Sequence, residues 1–325
     1  MTDASQPNPS VLAANRRAGL ADYAPTYGAA AALLLLVVVN AIFTPNFVSP
    51  DNLRNILVQV APTMLVSVGM TLVIATGGID LSVGSVMAIA SAVAATSLDR
   101  GVGVAVALAL LVALAIGAFN GAVIAGFRIQ PIIVTLALLI SGRGIAQVIS
   151  RGGQLIPFDN PTFASLGQGV VAGVPVQVIV MILVVALAVF VMRATTFGRY
   201  VAAVGGNEAA ARLAGVKVNR TKIAVYALSG LLAGLAGLIY TARLGASDAS
   251  KVGETIELDA IAATVVGGTP LTGGRATVIG TVVGALIMQV INTSFNMNGI
   301  KFSWALVIKA AIILVAVYIQ RPKVA

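Results

Sequence analysis

The sequence predicts an all-α polytopic membrane protein of about ten transmembrane segments, two of them interrupted. Three observations predict it. Of 325 residues, 58% are apolar and 10% charged, with a mean hydropathy of +1.00, whereas a soluble domain carries about 25% charged residues. Apolar runs near the roughly 17–25 residues that span a bilayer as helix recur along the chain. Finally, Gly77-Gly78-Ile79-Asp80-Leu81-Ser82-Val83-Gly84 is matched 190 residues later by Gly267-Gly268-Thr269-Pro270-Leu271-Thr272-Gly273-Gly274, a shared Gly-Gly-x-x-Leu-Ser/Thr-x-Gly pattern. Backbone is tolerated at membrane depth only where protein or a hydrated cavity satisfies its amide and carbonyl groups, so paired breaks point to a transport pathway.

Taken in order, residues 1–23 are polar and lack a short apolar core followed by a cleavage site, so they read as an uncleaved, disordered cytoplasmic tail. Ten segments follow at 24–43, 56–76, 81–98, 102–126, 131–149, 174–192, 223–241, 258–268, 276–294 and 302–319. Prolines 62, 131 and 175 bend or end them. Residues 24–320 form one transmembrane domain, with a cytoplasmic loop at 193–222 and a short tail at 321–325. The segment 258–268 has eleven residues and reaches only about 16 Å, so it reads as a half-helix that turns back at 267–274.

Basic residues set the orientation. With the amino terminus inside, twelve Lys and Arg fall on the cytoplasmic side (Arg16, Arg17, Arg128, Arg193, Arg199, Arg212, Lys217, Arg220, Lys222, Arg275, Arg321, Lys323) and six outside. That bias places both termini in the cytoplasm. It also accounts for the net charge of +9 without any nucleic-acid partner. Cysteine and histidine are absent, which excludes disulfides, imidazole-based catalytic triads and His-containing metal sites. No catalytic or metal-binding residue is read. Without a Gly-x-x-x-x-Gly-Lys-Ser/Thr loop the chain cannot cradle a nucleotide, so it is not an enzyme, binds no cofactor itself and draws its energy from a partner.

The loop 193–222 holds six basic residues and one acid. Within it, Asn207 can cap a short helix running from Glu208 through Ala209 and Ala210 to Ala214, and Gly215 can stop it in the left-handed conformation. Such a capped helix on the inner face is a docking element.

The run from Gly198 to Val216, the break at Gly77 to Gly84 and Glu257-Leu258-Asp259-Ala260-Ile261-Ala262-Ala263 resemble the permease subunits of bacterial ABC importers for monosaccharides, of the ribose/galactose/xylose type. Gly69 to Gly78 and Ile129-Gln130-Pro131 look closest to the galactofuranose branch. The resemblance implies a second permease subunit in a homo- or heterodimer, ATP-binding subunits that use ATP and Mg, an extracytoplasmic sugar-binding protein, and a monosaccharide substrate. It also maps the coupling helix onto Gly205, Asn207, Glu208, Ala209, Ala210 and Gly215.

For the translocation pathway, the candidates are Gly77, Gly78, Asp80 and Ser82 in the first break and Thr269 and Thr272 in the second, whose hydroxyl, carboxylate and backbone groups suit a neutral, hydroxylated solute. Asp80 or Ser82 can equally cap the following helix. Four ionisable residues, Asp80, Arg143, Asp259 and Lys309, fall within or beside apolar segments, where each costs about 2.5–3.5 kcal/mol on insertion scales. They are expected to face protein or water, pairing to lock the bundle or serving gating. An ion-coupled secondary sugar transporter is the alternative, using the embedded carboxylates as ion sites.

Overall fold

A computed structural model of the chain describes residues 9–320, so Arg321 and Lys323 of the expected tail, and residues 1–8, lie outside the described residues. Each apolar run folds as a helix with ends set by its punctuation. After α1 (Pro9–Phe43), the Ser49 hydroxyl accepts from the Asn52 amide at 3.3 Å and opens α2 (Pro50–Ala75), with Pro50 in the first turn where a missing N–H goes unnoticed. Next come α3 (Val83–Ser97), a 3-10 turn at Leu98–Arg100, α4 (Val102–Phe127) and α5 (Pro131–Ile149). A surface segment carries β1 (Ile156–Pro157), α6 (Pro161–Gln168), β2 (Val170–Val171) and β3 (Val174–Pro175). The helices α7 (Val176–Ala194), α8 (Thr196–Gly206), α9 (Glu208–Leu213) and α10 (Val218–Leu244) follow. Then come β4 (Ala246–Ser247), α11 (Ile256–Val266), α12 (Val278–Met297) and α13 (Phe302–Gln320). The two strand pairs, β1 with β4 and β2 with β3, are antiparallel and two residues long.

Among the described residues, seven helices are long and apolar enough to cross a membrane, against the ten spans expected. Three of the ten expected segments, those of α3, α11 and α13, fall outside these seven. The helix α3 has 15 residues, about 22 Å, and α11 has 11, about 16 Å. In α13 the apolar stretch Ser303–Ile312 is shorter than a span. The helix α3 thus has 15 residues against the 18 of the expected 81–98, whereas α11 keeps the eleven residues of the expected 258–268, and Thr76 to Ser82 and Gly267 to Thr277 lie outside the helices. The other differences are helical gains. The stretch from Pro9 to Tyr23, expected to be disordered, continues α1, and Val11-Leu12-Ala13-Ala14 with Arg16-Arg17-Ala18 has the propensity to do so. The amphipathic α6 and α8 went unforeseen because each is only a few turns long.

Burial separates the spans into two classes. Of the apolar windows, 78% of residues are buried in α2, 61% in α12 and 56% in α10, but only 11% in α1, 17% in α5 and α7 and 22% in α4. The first three form the centre. The others present Leu111, Phe119, Leu183 and Phe190 outward, as helices facing lipid must.

Small residues let helices approach the centre closely. A Cβ on Gly117 of α4 would overlap the Tyr226 carbonyl of α10, and one on Gly230 of α10 would overlap the Ala113 carbonyl of α4. On the other side of the core, Gly280 and Gly284 of α12 face Gly267 and Ala263 of α11. The rising number on one element meets the falling number on the other, so α11 and α12 form an antiparallel hairpin, and the chain turns back through 267–277 as expected from length. Gly117, Gly230, Gly280 and Gly284 are therefore all used for contacts within this chain. Substituting Gly117→Leu is expected to destabilise the bundle by at least about 1–3 kcal/mol through overpacking, whereas Gly103→Ala on the same helix, with nothing within 4 Å, is expected to leave thermal stability in detergent unchanged or slightly raised; equal melting of the two variants would refute this packing.

Candidate translocation and coupling site

Both breaks begin with the same helix ending. At the first, Gly77 (φ 79°) is left-handed, its amide donates to Ile74 O at 2.8 Å and that of Gly78 to Val73 O at 3.2 Å. At the second, Gly268 (φ 96°) is left-handed, its amide donates to Val265 O at 2.8 Å and that of Thr269 to Thr264 O at 3.1 Å. This pair of bonds satisfies the last carbonyls of a helix. The sequence match is thus offset by one residue in space: the first glycine turns in one break and the second in the other.

The two breaks then meet. The Gly274 amide donates to the carbonyl of Ala75, the last residue of α2, at 3.0 Å. Gly205 of α8 packs against this bond so closely that a Cβ there would overlap the Ala75 oxygen, and Gly206 lies against Gly274. Gly77 and Thr272 are exposed beside this junction, a Cβ on Gly77 lying 3.8 Å from the Thr272 carbonyl. Backbone from three separate stretches therefore shares one contact, at the end of the bundle that carries α8 and α9.

From that junction the chain runs back among the helices. Asp80 is 1% exposed. Its Oδ1 accepts from the Ser82 amide at 3.0 Å and hydroxyl at 2.6 Å, and its Oδ2 from the Ser229 hydroxyl of α10 at 2.9 Å. Asn120 of α4 donates to the Ser82 hydroxyl at 3.0 Å. Ser82 occupies the N-cap position of α3 without a side-chain capping bond. The Asp80 carboxylate therefore holds the backbone at the head of α3, and with Ser82 it ties the break to α4 and α10. Gly78 gives the room for this, since a Cβ there would come 3.4 Å from the Tyr226 ring carbon that carries the hydroxyl.

The second break is tied in a parallel way. Thr269 is buried, pairs with the Thr277 hydroxyl at 2.7 Å and accepts the Thr277 amide at 3.0 Å. Thr277 and, from α1, Thr26 each donate to Gly267 O at 3.1 Å, and Arg275 donates to Gly268 O at 3.0 Å. Of the six pathway candidates, Asp80, Ser82 and Thr269 are engaged in buried hydrogen bonds, Gly78 is packed under Tyr226, and Gly77 and Thr272 face outward.

The embedded charges divide. Lys309 of α13 binds Asp259 of α11 at 2.7 and 3.0 Å. Arg143 of α5 instead donates to the carbonyls of Ala249 at 3.0 Å, Val252 at 2.6 Å and Gly253 at 3.4 Å, the loop that leads into α11. Asp80 and Arg143 do not pair. Ser229, Tyr226, Thr26 and Thr277 went unnamed in the sequence. For the first two a signal existed, because Tyr226 and Ser229 are three residues apart on a helix and share a face.

The loop helix forms as its caps dictate. Asn207 Oδ1 accepts from the Ala210 amide at 2.9 Å, and Gly215 (φ 81°) ends α9 with its amide on Arg212 O at 3.1 Å. Glu208 accepts from Lys222 Nζ at 2.6 Å and from Arg212 at 3.1 Å, joining α9 to the start of α10. The Lys222 hydrogen bond holds the Glu208 carboxyl below its ordinary value, against a smaller opposing effect of partial burial. Its contribution is therefore present above the ordinary carboxylate range and is lost as pH falls through that lowered value.

A bundle of apolar helices whose two backbone breaks meet a surface helix has the build of a membrane permease. The chain belongs to the family described as the permease component of branched-chain amino acid transport systems, which matches residues 52–317. It is 43% identical over 297 residues to the ribose import permease protein RbsC of Escherichia coli (strain K12), covering 90% of this chain and 92% of that one. It is 41% identical over 300 residues to RbsC of Bacillus subtilis (strain 168), covering 90% and 91%, and 40% identical over 302 residues to the galactofuranose transporter permease protein YtfT of E. coli (strain K12), covering 89% and 87%. No solved structure matches. As a permease component, it is not an enzyme.

Replacing Asp80 by Ala removes the acceptor of three buried hydrogen bonds, each worth about 1–3 kcal/mol when its partner is left unsatisfied. Asp80→Ala is expected to lower thermal stability by several degrees and to increase proteolysis within residues 76–82, while Asp80→Asn, which keeps an acceptor, is expected to recover most of the loss; equal protease sensitivity of all three proteins would contradict the anchoring role.

Proposed function

We propose that the chain is the membrane-spanning subunit of an ATP-driven monosaccharide importer, with ribose or a sugar of similar shape as its substrate. The observation that carries the reading is the high identity, over nine-tenths of the chain, to permeases named for ribose import. The substrate is a sugar rather than an amino acid on the same ground, although the family is described by the latter.

In this reading α3, α11 and α13 complete ten membrane-inserted segments, α3 and α11 being the partial halves of two interrupted helices. Both termini and the α8–α9 loop lie in the cytoplasm. There α9, with Asn207, Glu208, Ala209, Ala210 and Gly215 setting its ends and surface, docks into an ATP-binding subunit that hydrolyses ATP with Mg. Gly205 passes the resulting motion to both breaks at once. A second permease subunit and an extracytoplasmic sugar-binding protein complete the assembly. Of the proposed pathway residues, Gly77 and Thr272 face the solute, whereas Asp80, Ser82, Gly78 and Thr269 hold the breaks in shape. The embedded Asp259–Lys309 pair and Arg143 fasten α11 rather than carrying ions, which sets this reading apart from an ion-coupled transporter.

Reconstitution of the chain in liposomes with its ATPase and binding protein is expected to give ATP-dependent uptake of labelled ribose, lost when either partner is omitted. Glu208→Arg is expected to abolish ATPase association while leaving membrane insertion intact. Uptake by this chain alone, driven by a proton or sodium gradient, would replace the importer reading with the ion-coupled one.

A further inference from the structure

Between α1, α7, α8 and the second break lies a cavity of about 460 Å³ that the transport reading does not use. Its lining divides by chemistry. The guanidinium-bearing Arg193, at the last turn of α7, and Arg275, in the break, supply two positive charges, and no acidic side chain lines the cavity among the described residues. The rest is largely apolar, including Val189, Met192 and Ile279. Arg193 is exposed, Ile279 is 47% exposed and Tyr27 is 62% exposed, so the cavity is open toward the surface that α1 and α7 present to lipid.

A soluble sugar does not need two cations, and a bare phosphate does not need the apolar wall. One molecule uses both. We propose that this cavity is a binding site for one anionic phospholipid, with its phosphate held by Arg193 and Arg275 and its first acyl carbons lying along Val189, Met192 and Ile279. Charge complementarity selects the anionic over the zwitterionic headgroup, and the arrangement of a basic pocket between helices at one membrane face is where such headgroups are held. The site also bears on the break, because Arg275 donates to the Gly268 carbonyl and Gly274 belongs to both the cavity wall and the junction with Ala75. A lipid seated here braces the second break through Arg275.

The full chain is reconstituted in phosphatidylcholine nanodiscs containing a small fraction of photoreactive phosphatidylglycerol or, in parallel, photoreactive phosphatidylcholine, and crosslinked residues are mapped by mass spectrometry. Because both faces of a nanodisc carry the same lipids, the result does not depend on which way the chain is oriented in the cell or on what it transports. The expected result is labelling near Tyr27, Val189 and Ile279 by phosphatidylglycerol severalfold above phosphatidylcholine, reduced about fivefold in Arg193→Gln, in keeping with the worth of one basic residue near a charged headgroup, and unaffected by excess glycerol 1-phosphate. Equal labelling by the two lipids, or an unchanged yield in Arg193→Gln, would overturn the proposal. So would loss of labelling on adding glycerol 1-phosphate, which would assign the pocket to a soluble phosphate compound.

Discussion

One hydrogen bond, from the Gly274 amide to the Ala75 carbonyl, holds together the two places where helical backbone comes apart. Polar backbone in a bilayer must find partners within the protein, because lipid offers none. Each break first closes its own helix through the paired bonds around Gly77 and Gly268, and then spends its next free group on the other break or on a neighbouring side chain. Gly205 fits over this junction only because it has no side chain, so α8 is bound to both breaks by shape as well as by proximity.

The same economy explains why the polar residues of this apolar chain are where they are. Asp80, Ser82, Ser229 and Asn120 form one buried set around the first break, and Thr269, Thr277 and Thr26 form another around the second. Arg143 covers three carbonyls of the loop entering α11, while Lys309 neutralises Asp259. Groups that would each be costly alone in a membrane become tolerable by serving backbone that would otherwise be unsatisfied. Both breaks are thus held by buried side-chain hydrogen bonds as well as by their own backbone.

Much of this was legible in the chain, and the remainder was hidden for physical reasons. Composition and apolar length gave the class and most helices, and the Gly-Gly matches marked both breaks, because leaving a helix demands residues that tolerate a left-handed turn. Asn207 and Gly215 announced α9 since capping is a local act of a few adjacent atoms. What stayed hidden is what depends on distance in space: that α3 is shorter than the apolar run containing it, that Lys309 meets Asp259 while Arg143 meets carbonyls, and that residues 75, 205 and 274 touch. The one-residue offset between the two matched breaks shows the limit well, because aligned letters turned at different glycines.

The account stands on α8 and the two breaks moving as one unit. The absence of cysteine from the sequence allows spin labels to be placed at chosen pairs, and the direct test is the distance between labels at Arg199 and Thr272, both exposed, and between Thr272 and Arg151 at the opposite end of the bundle, in the assembled transporter with and without ATP. The account predicts that the first distance stays constant while the second changes on nucleotide binding. A first distance that lengthens while the second stays fixed would mean that α8 moves away from breaks that remain still, and would contradict it.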